Sequence, residues 1–413
     1  MHTLKHRYLP AAAAQHRDTL HLLQLSRLFS TTLDLCSLLR FLEPQYLAEL
    51  EMDTLIDPQL KSKFFALPAE LRVAIYAYSV PDQLHIFLRE DGFFRFLRCM
   101  QRGKDDDPDC ESQRSNDKEI WKDPSSDPVC GRRLRSSWGP HWRCEEYAMQ
   151  MQEADEARHA TTMVTLFHVC KRIFFEVAET IADVTTFHVN DLDTLRNLVS
   201  LPSELESGRS STSILFGFIL PNLKELNISL RLDLDTYKAF DNTGDSGGSE
   251  SSLSSAWTGL LLANKHSSQL RRLWIWLDHT DPCSWSVVNE RAVLSPFAAL
   301  ANDLNLEVSI DLPKLHPKWE SPHRHFTEES PRLPLAIHRR HRQRYHGIER
   351  SDGSICVEYK ADFPELHQLV DWDEAVPMTM EEVEEAERRS WRDGVDPTEI
   401  FYNGSATCTL SLI

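Results

Sequence analysis

Cys130, His141 and Cys144 bring together two side-chain types that hold zinc well, thiolate and imidazole. A structural zinc site closes with four ligands in a tetrahedron, so these three need a fourth, for which His159 and Cys110 are the candidates. Their spacing follows no standard zinc motif. The expectation from sequence is therefore two unpaired thiols and a surface histidine, with no metal and no cofactor. The nine cysteines (Cys36, Cys99, Cys110, Cys130, Cys144, Cys170, Cys283, Cys356 and Cys408) are odd in number and scattered, with no CxxC pair. That usage fits reduced thiols of the cytosol or nucleus rather than a disulfide framework.

A second chemical signal is GDSGG at residues 244–248, which resembles the nucleophile signature of trypsin-like serine proteases. In that family Ser246 would attack a carbonyl, with a histidine as base and an aspartate orienting it. Here the run sits in a Gly/Ser stretch, 242–255, between a strand pattern and a helix pattern, and the chain lacks the all-β periodicity of that fold. The chain has no phosphate-binding glycine loop, HExxH or dinucleotide fingerprint, so no enzymatic activity is expected.

Composition narrows the classes further. The chain has 413 residues, 41% hydrophobic and 26% charged, ordinary values for globular protein, and enough length for two or three domains. A net charge of −18 argues against non-specific binding of nucleic acid or anionic membrane, which needs clustered positive charge. No apolar run is long enough to span a bilayer, and the N-terminus shows no clear secretory pattern. Arg7, Arg17, Arg27 and Arg40 in a Ser/Thr/Leu-rich stretch suit a mitochondrial presequence, but Asp18 and Asp34 oppose it.

The elements follow from periodicity. Residues 18–52 are leucine-rich with helical spacing, broken at Pro44. Residues 84–99 alternate with period two around Glu90-Asp91-Gly92, a hairpin signal. Residues 101–136 are polar and rich in Asp, Ser, Arg and Pro, the composition of a disordered loop. In 160–182, Met163, Leu166, Cys170, Ile173, Val177 and Ile181 recur every three or four residues, a helix, and Thr185-Thr186-Phe187-His188-Val189 reads as a strand. Beyond it, strands near 222–234, 269–279 and 305–313 alternate with helices, the second over 289–304 despite Pro296, implying parallel pairing through right-handed crossovers. Of Trp274 and Trp276, at least one is expected in the core. The basic run 331–350 is expected to be a solvated loop offsetting an acidic C-terminal helix, which opens on a capping box at Thr379 and Glu382.

The segment 64–82, FFALPAELRVAIYAYSVPD, is the best-punctuated helix. Pro68 suits the first turn, Glu70 lies near the positive end of the dipole, and Pro81 ends the element. Leu67, Leu71, Ala74, Ile75 and Tyr78 form one apolar stripe. Such a stripe either packs into the chain's own core or docks on a partner. Burying Leu67, Leu71 and Ile75 against a partner contributes about 5–9 kcal/mol, against association costs of about 4–15 kcal/mol, so docking needs a second surface, for which the 160–182 helix is the candidate.

The run Leu67-Pro68-x-Glu70-Leu71-Arg72-x-x-Ile75-Tyr76-x-Tyr78 resembles the F-box, the docking module of SCF ubiquitin-ligase adaptors. It is most similar to the F-box-like proteins abundant in filamentous fungi. Those often pair it with a later L-x-x-x-C-[KR]-x-[IV]-x-x-E helix and a T-x-F strand, matched here by Leu166, Cys170, Lys171, Ile173, Glu176, Thr185 and Phe187. The resemblance covers roughly residues 64–100 and 160–200. It implies a non-enzymatic protein-interaction module in the cytoplasm or nucleus. Leu67, Pro68, Leu71, Ile75 and Tyr76 would face a Skp-type adaptor joined to a cullin, and residues 195–312 would hold a target protein. The alternative is an F-box-like interaction protein with no ligase partner.

The expected architecture is α+β. A helical extension (1–60) precedes a split F-box-like domain (61–200) with its polar insertion near 101–136. A mixed sheet-and-helix domain of irregular βαβαβ order (201–330) and a basic segment with an acidic helix (331–413) complete the chain.

Overall fold

A computed structural model describes, apart from a few single or paired positions, residues 61–100, 133–150, 166–205, 219–241, 252–302, 306–327, 335–366 and 379–397. The expected extension 1–60, most of the polar insertion and the Gly/Ser run with Ser246 lie outside the described residues.

The fold is α+β, built on one seven-stranded sheet. Helix α1 (Ala69–Ser79) leads into the hairpin β1 (Gln83–Leu88) and β2 (Phe94–Arg98), whose turn carries Gly92 at φ 79°. A 3₁₀ turn (Gly139–His141) and α2 (Trp142–Gln150) follow, then α3 (Lys171–Val184), β3 (Thr186–Val189) and α4 (Leu192–Leu205). Next come β4 (Glu225–Leu232), α5 (Leu234–Lys238), α6 (Ser252–His266), β5 (Arg272–His279), α7 (Glu290–Leu294), β6 (Glu307–Pro313) and β7 (Ala336–Arg340). A separate hairpin, β8 (Tyr345–Glu349) with β9 (Ile355–Tyr359), and α8 (Met380–Arg392) close the chain.

The strand order is β2-β1-β3-β4-β5-β6-β7, and every pair except β1–β2 is parallel. The hairpin and the parallel alternation thus form as the periodicity implies. A sheet laid down in sequence order with right-handed crossovers places its connecting helices on one face. On that face Ile86, Val189, Ile228, Ile275 and Ile310 belong to one apolar core with Phe187, Leu230 and Trp257. Because side chains alternate across a strand, the intervening residues His85, His188, Ser229, Arg231, Trp276 and Asp278 share the opposite face. The sheet runs on across residues 200 and 330, where divisions were expected.

Four local differences have physical causes. Helix α3 begins at Lys171 because Cys170 is extended, at φ −171° and ψ 164°. The 289–304 helix stops at Leu294 and continues as 3₁₀ turns over Ser295–Asn302, since Pro296 lacks the N–H an α-helix needs. Residues 133–136, at the end of the polar insertion, are ordered against the sheet, with Leu134 and Ser136 buried. The basic run is not a solvated loop. Ala336–Arg340 is strand β7, and Arg340, Arg342 and Arg344 are buried. Of the two tryptophans, Trp276 is the buried one, and the Thr379–Glu382 capping box forms as expected.

Candidate functional site

Helix α1 packs against α3. Arg72 and Tyr76 are buried, and both reach one carboxylate, Glu176 on α3. Arg72 donates from Nε and Nη2 to the two Glu176 oxygens at 3.0 and 2.8 Å, and Tyr76 Oη donates at 3.0 Å. Arg172 adds a fourth donor at 3.1 Å. Burial pushes the Glu176 carboxyl up, but these donors outweigh it and hold the group below its usual range. Arg72 Nη1 also donates to the Leu67 carbonyl at 2.7 Å, fixing the chain ahead of the helix. So the two halves of the motif noted in sequence meet at Arg72–Glu176. Thr185 Oγ1 donates to the Pro81 carbonyl, and Phe187 enters the core, which ties in the third part.

The apolar stripe of α1 points outward. Leu71 is 52% exposed, Ile75 44% and Tyr78 95%, with Val73 exposed beside them. Among the described residues, then, neither Leu71 nor Ile75 packs in the core. Pro68 is also exposed and Leu67 partly so. Tyr76 was expected on the docking face, but it is fully buried, because its hydroxyl is drawn in to Glu176 and its ring packs near Phe64.

A second constellation lies on the polar face of the sheet. His85 (β1) and His188 (β3) are opposite each other in register. Cys99 follows β2, and the segment 133–150 folds over them, bringing His141 and Cys144. Four donor atoms, one each from His85, Cys99, His141 and Cys144, lie within 4.8 Å of one another, and all four residues are buried. Cys99 Sγ is 3.5 Å from His141 Nδ1 and 3.9 Å from Cys144 Sγ. His85 Nδ1 and Asn190 Oδ1 are 2.6 Å apart, and among the described residues His85 Nε2 has no hydrogen-bond partner. The Met100 N–H donates to Cys144 Sγ at 3.4 Å. Hydrogen bonding from Cys99, joined by His141 and opposed by burial, pulls the Cys144 thiol well below its usual range.

The covering segment is held from several sides. Arg231 Nη1 donates to the Ser136 carbonyl, Gln343 Nε2 donates to the Leu134 carbonyl, and Glu145 accepts from the hydroxyls of Ser136 and Ser137. Trp138 stacks on His85 with ring centroids 5.1 Å apart. Gly139 has φ +56°, and a Cβ there would meet the Trp276 ring at 2.5 Å.

With this geometry in view, comparison with known proteins gives one match. Residues 57–212 match the model of a family described as a domain of unknown function, DUF7730. That span holds α1, its Glu176 anchor and all four donors of the buried cluster. No curated protein and no solved structure matches the chain.

Two further polar clusters explain themselves. Asp278 is fully enclosed and faces Arg342, Arg340 and Arg231 at 2.8, 3.3 and 3.8 Å. Burial opposes its charge, but the three guanidiniums reverse that and hold its carboxyl far below the usual range. His316, Glu365 and Glu387 also offer metal-ligand types, but both Glu387 oxygens already accept backbone N–H groups, of Glu365 and Leu366 at 2.9 Å.

Sequence reasoning grouped His141 and Cys144 with Cys130 and named His159 and Cys110 as candidates for the fourth ligand; Cys110, Cys130 and His159 lie outside the described residues. It missed His85 and Cys99. The available signal was the alternation in β1, which puts His85 opposite to Leu84 and Ile86.

Proposed function

We propose that this chain is a non-enzymatic protein-interaction module that docks a partner protein through the outward stripe of α1. The reading extends to a substrate-recognition adaptor of an SCF-type ubiquitin ligase, with a Skp-type subunit and its cullin as partners in the cytoplasm or nucleus. The observation that carries it is the exposure of Leu71, Ile75 and Tyr78 on a helix whose other side is pinned by Arg72 and Tyr76 to Glu176. Large apolar side chains held in water on a fixed helix face suit helix-in-groove recognition. The resemblance of Leu67-Pro68-x-Glu70-Leu71 to the F-box supplies the partner class, and the docking residues become Leu67, Pro68, Leu71, Ile75 and Tyr78. Among the described residues no helix is long and apolar enough to cross a membrane.

The alternative, an F-box-like interaction protein without a ligase partner, draws support from the β-hairpin that follows α1, where an F-box continues with further helices. A pull-down with the tagged full chain separates the readings. Skp-type adaptor and cullin are expected in the eluate, and both should vanish in Leu71→Asp/Ile75→Asp. Because both side chains face water, that variant should melt within a few degrees of the parent. Capture of neither subunit by the folded parent would remove the ligase reading. Gain of capture only after removal of residues 1–60 would mean that the chain's own leucine-rich N-terminal stretch covers the stripe.

A further inference from the structure

The cluster of His85, Cys99, His141 and Cys144 has the composition, size and burial of a closed zinc site. We propose that it binds one Zn²⁺ with the four side chains as a complete tetrahedral set. With Zn–S near 2.3 Å and Zn–N near 2.0–2.1 Å, a tetrahedron has S···S edges of about 3.8 Å and S···N edges of about 3.6 Å. The observed edges are 3.9 Å between Cys99 and Cys144 and 3.5 Å between Cys99 and His141. A disulfide is a different geometry, since its sulfurs sit about 2.05 Å apart.

Surrounding groups fit the same ligand. Asn190 Oδ1 engages His85 Nδ1, so the tautomer that donates there leaves Nε2 as a lone-pair donor, and that nitrogen is buried with no hydrogen-bond partner among the described residues. An outer-shell acceptor of this kind is the usual way a ligating imidazole is oriented. The Met100 N–H pointing at Cys144 Sγ is the matching outer-shell donor for a thiolate. Two thiolates and two neutral imidazoles balance a divalent ion, so the buried site carries no net charge. A soft, four-coordinate S₂N₂ set selects zinc over magnesium or calcium. With four protein ligands, no position stays open for substrate, so the ion's role is structural. It fastens the 133–150 segment to β1 and β2.

The test is metal analysis of the full-length chain, produced with zinc in the medium and purified under reducing conditions. About one zinc per chain is expected, falling below about a tenth in Cys99→Ser/Cys144→Ser and unchanged in Cys283→Ser, whose thiol is exposed. Cobalt exchanged into the parent chain should give the intense visible bands of tetrahedral cobalt and a thiolate charge-transfer band. His141→Cys, which keeps a ligand, should move those bands toward higher sulfur content even if the double variant fails to fold. Folded parent chain with neither zinc nor a cobalt spectrum would overturn the proposal. So would recovery of Cys99 and Cys144 as a disulfide, or retention of zinc by the double variant.

Discussion

Asp278 sits on β5 with three arginines around it and no exposed surface to speak of. Removing one member of a buried ionic set costs more than the set contributes, because the remaining charges have no water to turn to. Asp278→Asn keeps the shape and deletes the charge. It should lower unfolding stability by about 3–5 kcal/mol, read as a shifted urea midpoint. The same logic shows what a sequence hides at this scale. Arg339, Arg340, Arg342 and Arg344 look like a solvated basic patch because a run of like charge usually is one. Arg339 pairs with Glu290, and Arg340 and Arg342 with Asp278, about fifty to sixty positions upstream, while Arg344 donates to the Pro364 carbonyl; no local pattern reveals the pairing. Glu176 makes the same point: only the fold shows that it receives both Arg72 and Tyr76.

Elements were more legible than contacts. The bounds of α1, the β1–β2 hairpin and the α8 capping box follow from prolines, alternation and a Thr/Glu pair, all of them local rules. The candidate metal set was half legible, since His141 and Cys144 share one turn, whereas His85 and Cys99 come from a hairpin 42 or more positions away. The 133–150 segment is the element on which that set depends, and Gly139 is its hinge with Trp276. A side chain there meets both a left-handed backbone and an aromatic ring. Gly139→Ala should cost about 2–5 kcal/mol, from about 1–2 for the backbone and about 1–3 for overpacking. It should also loosen His141, two residues on, so the amount of bound zinc should fall together with the melting temperature.

For the whole molecule, the buried histidines set an acid limit. His279 and His346 are each pushed down to about 3, first by burial and then by the nearby Arg342. In the unfolded chain they titrate near the usual 6.5, so between pH 6.5 and 3 the unfolded state binds the extra protons. Stability is therefore fully present above pH 6.5 and declines as the pH falls through that window, by about 1.4 kcal/mol per pH unit for each histidine. Urea midpoints at pH 7, 6 and 5 should fall progressively, and His346→Gln should reduce the slope by about one proton. An unchanged midpoint from pH 7 to 5 would contradict the buried, neutral state of both rings.

The sheet is sewn shut on both sides of residues 101–132. Strand β1 pairs with β2 before that stretch and with β3 after it, and Cys99 meets Cys144 across it. Positions 100 and 133 are therefore each held by the sheet and not by the chain between them, so α1 and the buried cluster should keep their places when the sequence joining those two points is lengthened or exchanged.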